Sequence, residues 1–337
     1  MPGHLASIRG ATHVWISPSL RSLVRSFSAA SGSDEPAKSA PEKKAGKAID
    51  VYQADSGRVM LSGMQALVKV PLFMGDRDAA RGFNTGGFIS GYRGSPLGSF
   101  DQHLWQAAAH LKPRSVEFVP GLNEEIAATS VWGSQQVSLF EERNKDGVFA
   151  LWYGKGPGVD RSGDVFKHAN MAGSAEKGGV LIVAGDDHAA KSSTLPHQSD
   201  LNLRDMNVPV LVPGTVAEVL EYGIIALEMS RFTGLYVAIK VTSYTIDTAA
   251  SVDLAHLERL KSPELITLPS PEESGVPAQG LNIRSPDDWN TQEARMYTHK
   301  LRAAVAFIRA NNLNRVVFGA GLPTPSTVEV IEKGGGG

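Results

Sequence analysis

The sequence predicts an α/β fold, a mainly parallel sheet with helices on both faces, and three observations carry that prediction. From Val51 to about Leu265 strand signals and helix signals alternate, an order that lays strands side by side and packs the connecting helices over both faces. Strand candidates at 148–153 and 180–184 are unbroken apolar runs, the composition of strands buried on both sides. Glycine-rich or polar segments follow them at 154–158 and 185–188, at the strand ends where open α/β sheets place ligands.

In chain order, Phe88 and Ile89 belong to an apolar strand, after which Gly91, Gly94 and Gly98 allow a tight turn and close backbone approach. Residues 116–119 form the next strand. Asn123 is a good N-cap residue, and Glu124 and Glu125 fall in the first helical turn, where the helix dipole favours negative charge. This acidic pair either satisfies the helix terminus alone or presents a carboxylate to a ligand. The Gly-Lys-Gly-Pro-Gly segment at 154–158 is not a P-loop, because Lys155 stands between Gly154 and Gly156 instead of before Ser or Thr. A structural turn and a ligand-facing loop are its two readings. Asp186, Asp187, His188, His197 and Asp200 cluster after the following strand without the compact spacing of a metal site, so no metal is assigned.

Residues 207–213 read as a short buried strand. Thr215 and Glu218 form a capping box, and Val216, Val219, Leu220, Ile224 and Leu227 make one apolar helical face. Residues 234–241 supply another strand. The Pro-, Ser- and Glu-rich stretch at 262–289 wraps the surface or links domains. Ala294, Tyr297, Leu301, Ala304, Val305 and Ile308 then space out an amphipathic helix ended by Asn311 and Asn312. Residues 315–320 resemble the first strand of a further domain, and the four glycines at 334–337 suggest truncation.

The motifs Gly-Tyr-Arg-Gly-Ser-Pro-Leu-Gly (91–98), Pro-Gly-Leu-Asn-Glu-Glu (120–125) and Val-Trp-Gly-Ser-Gln-Gln (131–136) occur in that order. Leu-Trp-Tyr-Gly-Lys-Gly-Pro-Gly-Val-Asp-Arg-Ser-Gly-Asp-Val-Phe (151–166) and Gly-Asp-Asp-His-Ala-Ala-Lys-Ser-Ser-Thr-Leu-Pro-His-Gln-Ser-Asp (185–200) follow. Together they resemble the N-terminal part of indolepyruvate ferredoxin oxidoreductase, of the thiamine-diphosphate-dependent 2-oxoacid:ferredoxin oxidoreductase family, from about Val51 to about Asn314. The resemblance implies a pyrimidine-binding domain for the aminopyrimidine end of thiamine diphosphate. It implies that Glu124 hydrogen-bonds the pyrimidine ring nitrogen, with Glu125 the neighbour that a one-residue shift would put in its place. It also implies that Ser95 bonds the substrate carboxylate, and that Gly94, Gly154, Lys155 and Gly156 lie on the cofactor. Related pyruvate-oxidising enzymes have an arginine near the segment that here reads Gly185-Asp186-Asp187, a departure that argues against pyruvate.

With 33 basic and 35 acidic residues the net charge is -2, which supplies no electrostatic argument for nucleic acid or an anionic membrane. No apolar run approaches the roughly 20 residues a bilayer requires. There are no cysteines among the 337 residues, so neither a Cys-ligated iron–sulfur cluster nor a disulfide belongs to this sequence. A Gly-Asp-Gly segment followed by Asn, with which thiamine enzymes hold Mg²⁺ and the diphosphate, is also missing. Nor does a Gly-x-Gly-x-x-Gly open a helix after a strand, which leaves a nucleotide-binding dehydrogenase poorly supported.

Before Asp34 there is no acid, and Arg9, Arg21 and Arg25 stand among many Ser and Ala residues, the balance of an organellar transit peptide, with a disordered tail as the other reading. The expected organisation is a transit peptide and linker (1–48), a pyrimidine-binding domain (49–265), a linker and amphipathic helix (266–314) and the truncated start of another domain (315–337). The expected address is mitochondrial, with a plastid as alternative. The resemblance implies oxidative decarboxylation of an indolepyruvate-like 2-oxoacid to acyl-CoA with ferredoxin as acceptor. Mg²⁺ and iron–sulfur clusters would then come from other domains, or from a homodimer mate or partner chain carrying the diphosphate-binding domain. The alternative is a catalytically inactive remnant or assembly subunit.

Overall fold

In a computed structural model of the chain, the structure describes residues 50–54, 57–192 and 195–314. The expected transit peptide and the strand expected at 315–320 lie outside the described residues. The fold begins with β1 (Arg58–Ser62) and α1 (Gly63–Ala80). Ser62 starts α1 with a capping box: its Oγ accepts from the Gln65 amide at 3.2 Å, and Gln65 Oε1 accepts from the Ser62 amide at 2.9 Å. Next come β2 (Thr85–Gly91), α2 (Phe100–Gln106), β3 (Val116–Phe118), α3 (Glu124–Gln135) and β4 (Gly147–Lys155). Then follow α4 (Gly156–Arg161), α5 (Gly163–Ala172), β5 (Val180–Asp186), α6 (Asp200–Asp205), β6 (Val210–Leu211) and α7 (Val216–Thr233). The last elements used here are β7 (Val237–Thr242), β8 (Ala249–Asp253) and α8 (Leu301–Ala310).

Six strands form one sheet in the order β3-β2-β4-β5-β7-β6, every pair parallel, while β1 and β8 make a separate antiparallel ribbon. The expected α/β architecture is therefore the observed one. Along β4, Phe149, Leu151 and Tyr153 pack with α1 and α7 on one face, and Ala150 and Trp152 with α3 and α5 on the other. This is the period-two alternation of a strand with no wet side. Trp152 and Phe166 meet edge to face at 5.0 Å and 87°, an arrangement that adds about 0.5–1.5 kcal/mol to the area buried.

The amino edge of the sheet is closed by a buried ionic cluster. Arg231 holds Asp78 through two bonds of 2.7 Å, Thr85 Oγ1 donates to Asp78 at 2.6 Å, and Arg77 and Arg81 converge on Glu228 at 3.0 and 2.8 Å. Arg77 also donates to the Leu260 and Ser262 carbonyls, which pins the following wrap to α1. Lys300, fully buried, donates to the carbonyls of Asn170, Met171 and Gly234 at 3.1, 3.1 and 3.2 Å. One ammonium thus satisfies carbonyls at the ends of α5 and α7, where the helix dipoles favour a cation.

Four local expectations differ from the structure. The strand expected at 207–213 is only Val210–Leu211, because Asn207 takes the left-handed conformation at φ 56° and turns the chain first. Thr215 does cap α7, but the Glu218 carboxylate accepts from the Gly214 amide at 2.9 Å, one residue beyond the box partner. Gly234 is the left-handed cap of α7 and no part of β7. In the last helix a π-turn at Met296–Lys300 inserts a residue, so Met296, Lys300 and Phe307 face inward while Ala294, Tyr297 and Val305 are exposed.

Candidate functional site

The carboxyl edge of the sheet is formed by Gly91 of β2, Lys155 of β4, Asp186 of β5 and Thr242 of β7. All the residues singled out from sequence lie on this edge or on the segments leaving it. Glu124 is the first residue of α3. The Asn123 side chain caps that helix by accepting from the Ile126 amide at 2.9 Å, and Trp152 Nε1 donates to the Glu124 carbonyl at 2.9 Å. The first turn of α3 is thereby fixed to the core of β4.

The Glu124 side chain lies over Gly158, where an added Cβ would sit 2.5 Å from Glu124 Cγ and 3.0 Å from Oε1. Only a residue without a side chain lets the carboxylate settle there. The carboxylate is half-buried and has neither a hydrogen bond nor an ion pair among the described residues. Glu125 points elsewhere: it is 52% exposed and faces Arg161 at 3.7 Å. The two adjacent acids therefore occupy different environments.

The second part of the edge is organised by Ser192. Its Oγ accepts from the Ser95 amide at 3.0 Å, and its carbonyl and Oγ accept from Lys155 Nζ at 2.6 and 3.1 Å. The Ser192 amide donates to Asp187 Oδ2 at 3.1 Å, while Asp187 Oδ1 is buried without a partner. Gly94 runs under the stem of Lys155, with a would-be Cβ 2.7 Å from its Cδ. Ser95 and Lys155 are thus brought together. Gly154 is an internal residue of β4 and Gly156 opens α4, so the glycine-rich segment is a strand end running straight into a helix, with no intervening loop.

In a third group, sequence reasoning noted His197 but missed its partner Asp160. His197 Nε2 pairs with Asp160 Oδ2 at 2.8 Å, and its ring lies over Gly156, whose added Cβ would stand 2.0 Å from Nδ1. The other ring nitrogen, Nδ1, is buried without a hydrogen-bond partner. The Asp186 carboxylate, by contrast, is consumed by the Ser199 amide and hydroxyl at 3.0 and 2.6 Å, and anchors the returning chain. The His-Asp pair spans 37 residues, and no local pattern announces it.

Exposed apolar side chains rim this edge, among them Leu122 after β3, Leu195 after β5 and Tyr244 after β7. The edge is an open surface. A cleft of about 860 Å³ lies elsewhere, lined by Arg143, Asp146, Lys177 and Arg284 among others. For the pyrimidine end of thiamine diphosphate the donor set fits in one respect: the Glu124 carboxylate beside Gly158 has no partner among the described residues. Among the described residues no cluster of three or more His, Asp or Glu side chains could hold a metal ion. Among those residues no helix is long and apolar enough to cross a membrane.

No family model matches the chain, and no curated protein matches it. Among solved structures it is similar to 2-oxoglutarate:ferredoxin oxidoreductase from Magnetococcus marinus with 2-oxoglutarate, coenzyme A and succinyl-CoA bound. The identity is 17% and the TM-score 0.46, over 59% of this chain and 32% of that one. This chain therefore spans about a third of that protein's length, and a likeness at this level carries no functional weight.

Proposed function

We propose that this chain is the pyrimidine-binding portion of a thiamine-diphosphate-dependent oxidoreductase that decarboxylates an indolepyruvate-like 2-oxoacid to acyl-CoA, with ferredoxin as electron acceptor. The observation that carries the reading is the half-buried, unpartnered carboxylate of Glu124 over Gly158, at the carboxyl edge of a parallel sheet. When bound, thiamine diphosphate supplies the electron sink for decarboxylation. Glu124 would hold a proton against the pyrimidine ring nitrogen, and Trp152 and Asn123 position it. Ser95, held at Ser192, would bond the substrate carboxylate, and Gly94, Gly154, Lys155 and Gly156 would form the floor of the site. The remainder of the cofactor site, with Mg²⁺ and the iron–sulfur clusters, would come from another domain or chain, in keeping with the open edge and the absence of cysteine. The proposed address is mitochondrial.

A second reading is a catalytically inactive assembly subunit, favoured by the exposed Leu122, Leu195 and Tyr244, which suit a partner's surface. The test is Glu124→Gln in the reconstituted assembly, assayed for 2-oxoacid-dependent reduction of ferredoxin, with thiamine diphosphate binding followed by calorimetry. Turnover should fall by about 10²-fold or more, the scale of a lost positioned proton-transfer group, while Glu125→Gln stays near the parent. Near-normal turnover of Glu124→Gln would remove the assigned role.

A further inference from the structure

Outside the carboxyl edge, basic side chains converge where the 262–289 wrap meets the last helix. Arg284 and Arg295 line a cleft of about 380 Å³ together with Thr298 and His299. Both guanidiniums face a single acid. Arg295 Nη2 donates to the two oxygens of Asp287 at 2.7 and 2.6 Å. Its Nη1 is buried without any partner, although the side chain is only 8% exposed. Arg284 spends one N–H on the Gly280 carbonyl at 2.6 Å. Buried Lys300 lies nearby and is satisfied by carbonyls alone, so the single carboxylate of Asp287 faces two guanidiniums. A buried guanidinium N–H left without an acceptor is costly, and uncompensated positive charge in a cleft calls for an anion.

We propose that this cleft is an anion-binding site and that it takes the phosphate group of a small phosphorylated molecule between Arg284 and Arg295. Planar guanidinium forks match the oxygens of a phosphate in bidentate fashion. The Thr298 hydroxyl adds a donor on the same wall. Gln279 and Arg284 also line the adjoining cleft of about 860 Å³, where Arg143 and Lys177 stand with Asp146 and Glu176. The rest of such a molecule has room to extend there, and both volumes are in the usual range for ligand sites. The same anion relieves the Lys300 amine, which burial first and Arg295 second pull down to about 7.

The experiment is titration of the full chain with inorganic phosphate at low ionic strength, followed by calorimetry and by thermal unfolding. Saturable one-site binding with a Kd near or below about 1 mM is expected, with a rise in Tm that sodium chloride of equal ionic strength does not give. Arg284→Gln, which removes one guanidinium while sparing the Arg295–Asp287 pair, should weaken binding by about tenfold or more. Glu124→Gln should bind phosphate like the parent, which separates this site from the carboxyl edge. Absence of saturation by about 10 mM phosphate, equal affinity in Arg284→Gln, or preference for acetate over phosphate would each overturn the proposal.

Discussion

The two edges of the sheet are built on opposite principles. At the amino edge, Asp78, Glu228, Arg77, Arg81 and Arg231 are paired with one another and with backbone carbonyls, and Lys300 stops two helix ends. At the carboxyl edge, Glu124 lacks a partner, Asp187 and His197 keep buried atoms unsatisfied, and large apolar side chains face outward. Unsatisfied buried polar atoms cost stability unless something completes them. The ionic cluster at the amino edge is thus where the fold is secured, while the carboxyl edge, like the cleft at Arg295, keeps buried polar atoms unsatisfied.

Breaking the amino edge should have the largest effect. Asp78→Ala removes the bidentate partner of buried Arg231, leaving it only the Glu228 carboxylate at 3.5 Å that Arg77 and Arg81 already share, and a loss of about 3 kcal/mol is expected. Urea denaturation would show it, and an unchanged midpoint would mean that the cluster carries no weight. Next comes the pH response of Lys300, whose amine is held near 7 against an ordinary 10.5. Between those values the unfolded chain binds the proton that the folded chain has released. Stability attributable to this group therefore rises with pH through that window and is lowest below it. Urea midpoints at a series of pH values should show this slope in the parent and lose it in Lys300→Met.

On the carboxyl edge, Gly158→Ala should cost about 1–3 kcal/mol as the new methyl collides with Glu124, despite the better helix propensity of alanine. It should also reduce activity of the reconstituted assembly by displacing the carboxylate; a variant as stable and active as the parent would contradict the close contact. The smallest effect is expected for Glu124→Gln in the isolated chain, within about 0.5 kcal/mol by denaturation, since no partner is lost. The residue placed at the centre of the function is then the one whose replacement the fold barely notices.

What could be read from the sequence was local. Unbroken apolar runs gave β4 and β5, and the Asn-Glu-Glu step gave the first turn of α3, because strand burial and helix capping are written in neighbouring residues. The glycines at 156 and 158 were noticed as a motif, but their use as floors beneath His197 and Glu124 needed coordinates. Ser192, which joins Ser95 to Lys155 across 97 and 37 residues, sits in a Lys-Ser-Ser-Thr stretch that reads as ordinary loop. The Arg77–Glu228 and Arg231–Asp78 pairs join residues 151 and 153 apart, and single charges carry no periodicity to reveal such pairings. The π-turn was hidden for another reason: a one-residue insertion leaves the helical spacing intact on either side and rotates only the face.

The ribbon of β1 and β8 has a consequence for how this unit could be joined to others. Arg58 lies opposite Asp253 and Ser62 opposite Ala249, so the chain enters and leaves the six-stranded sheet through one doorway. Such adjacency brings both ends of the intervening stretch together, the arrangement that lets a unit be inserted into a larger protein without stretching either connection, here together with the wrap and last helix that pack against it.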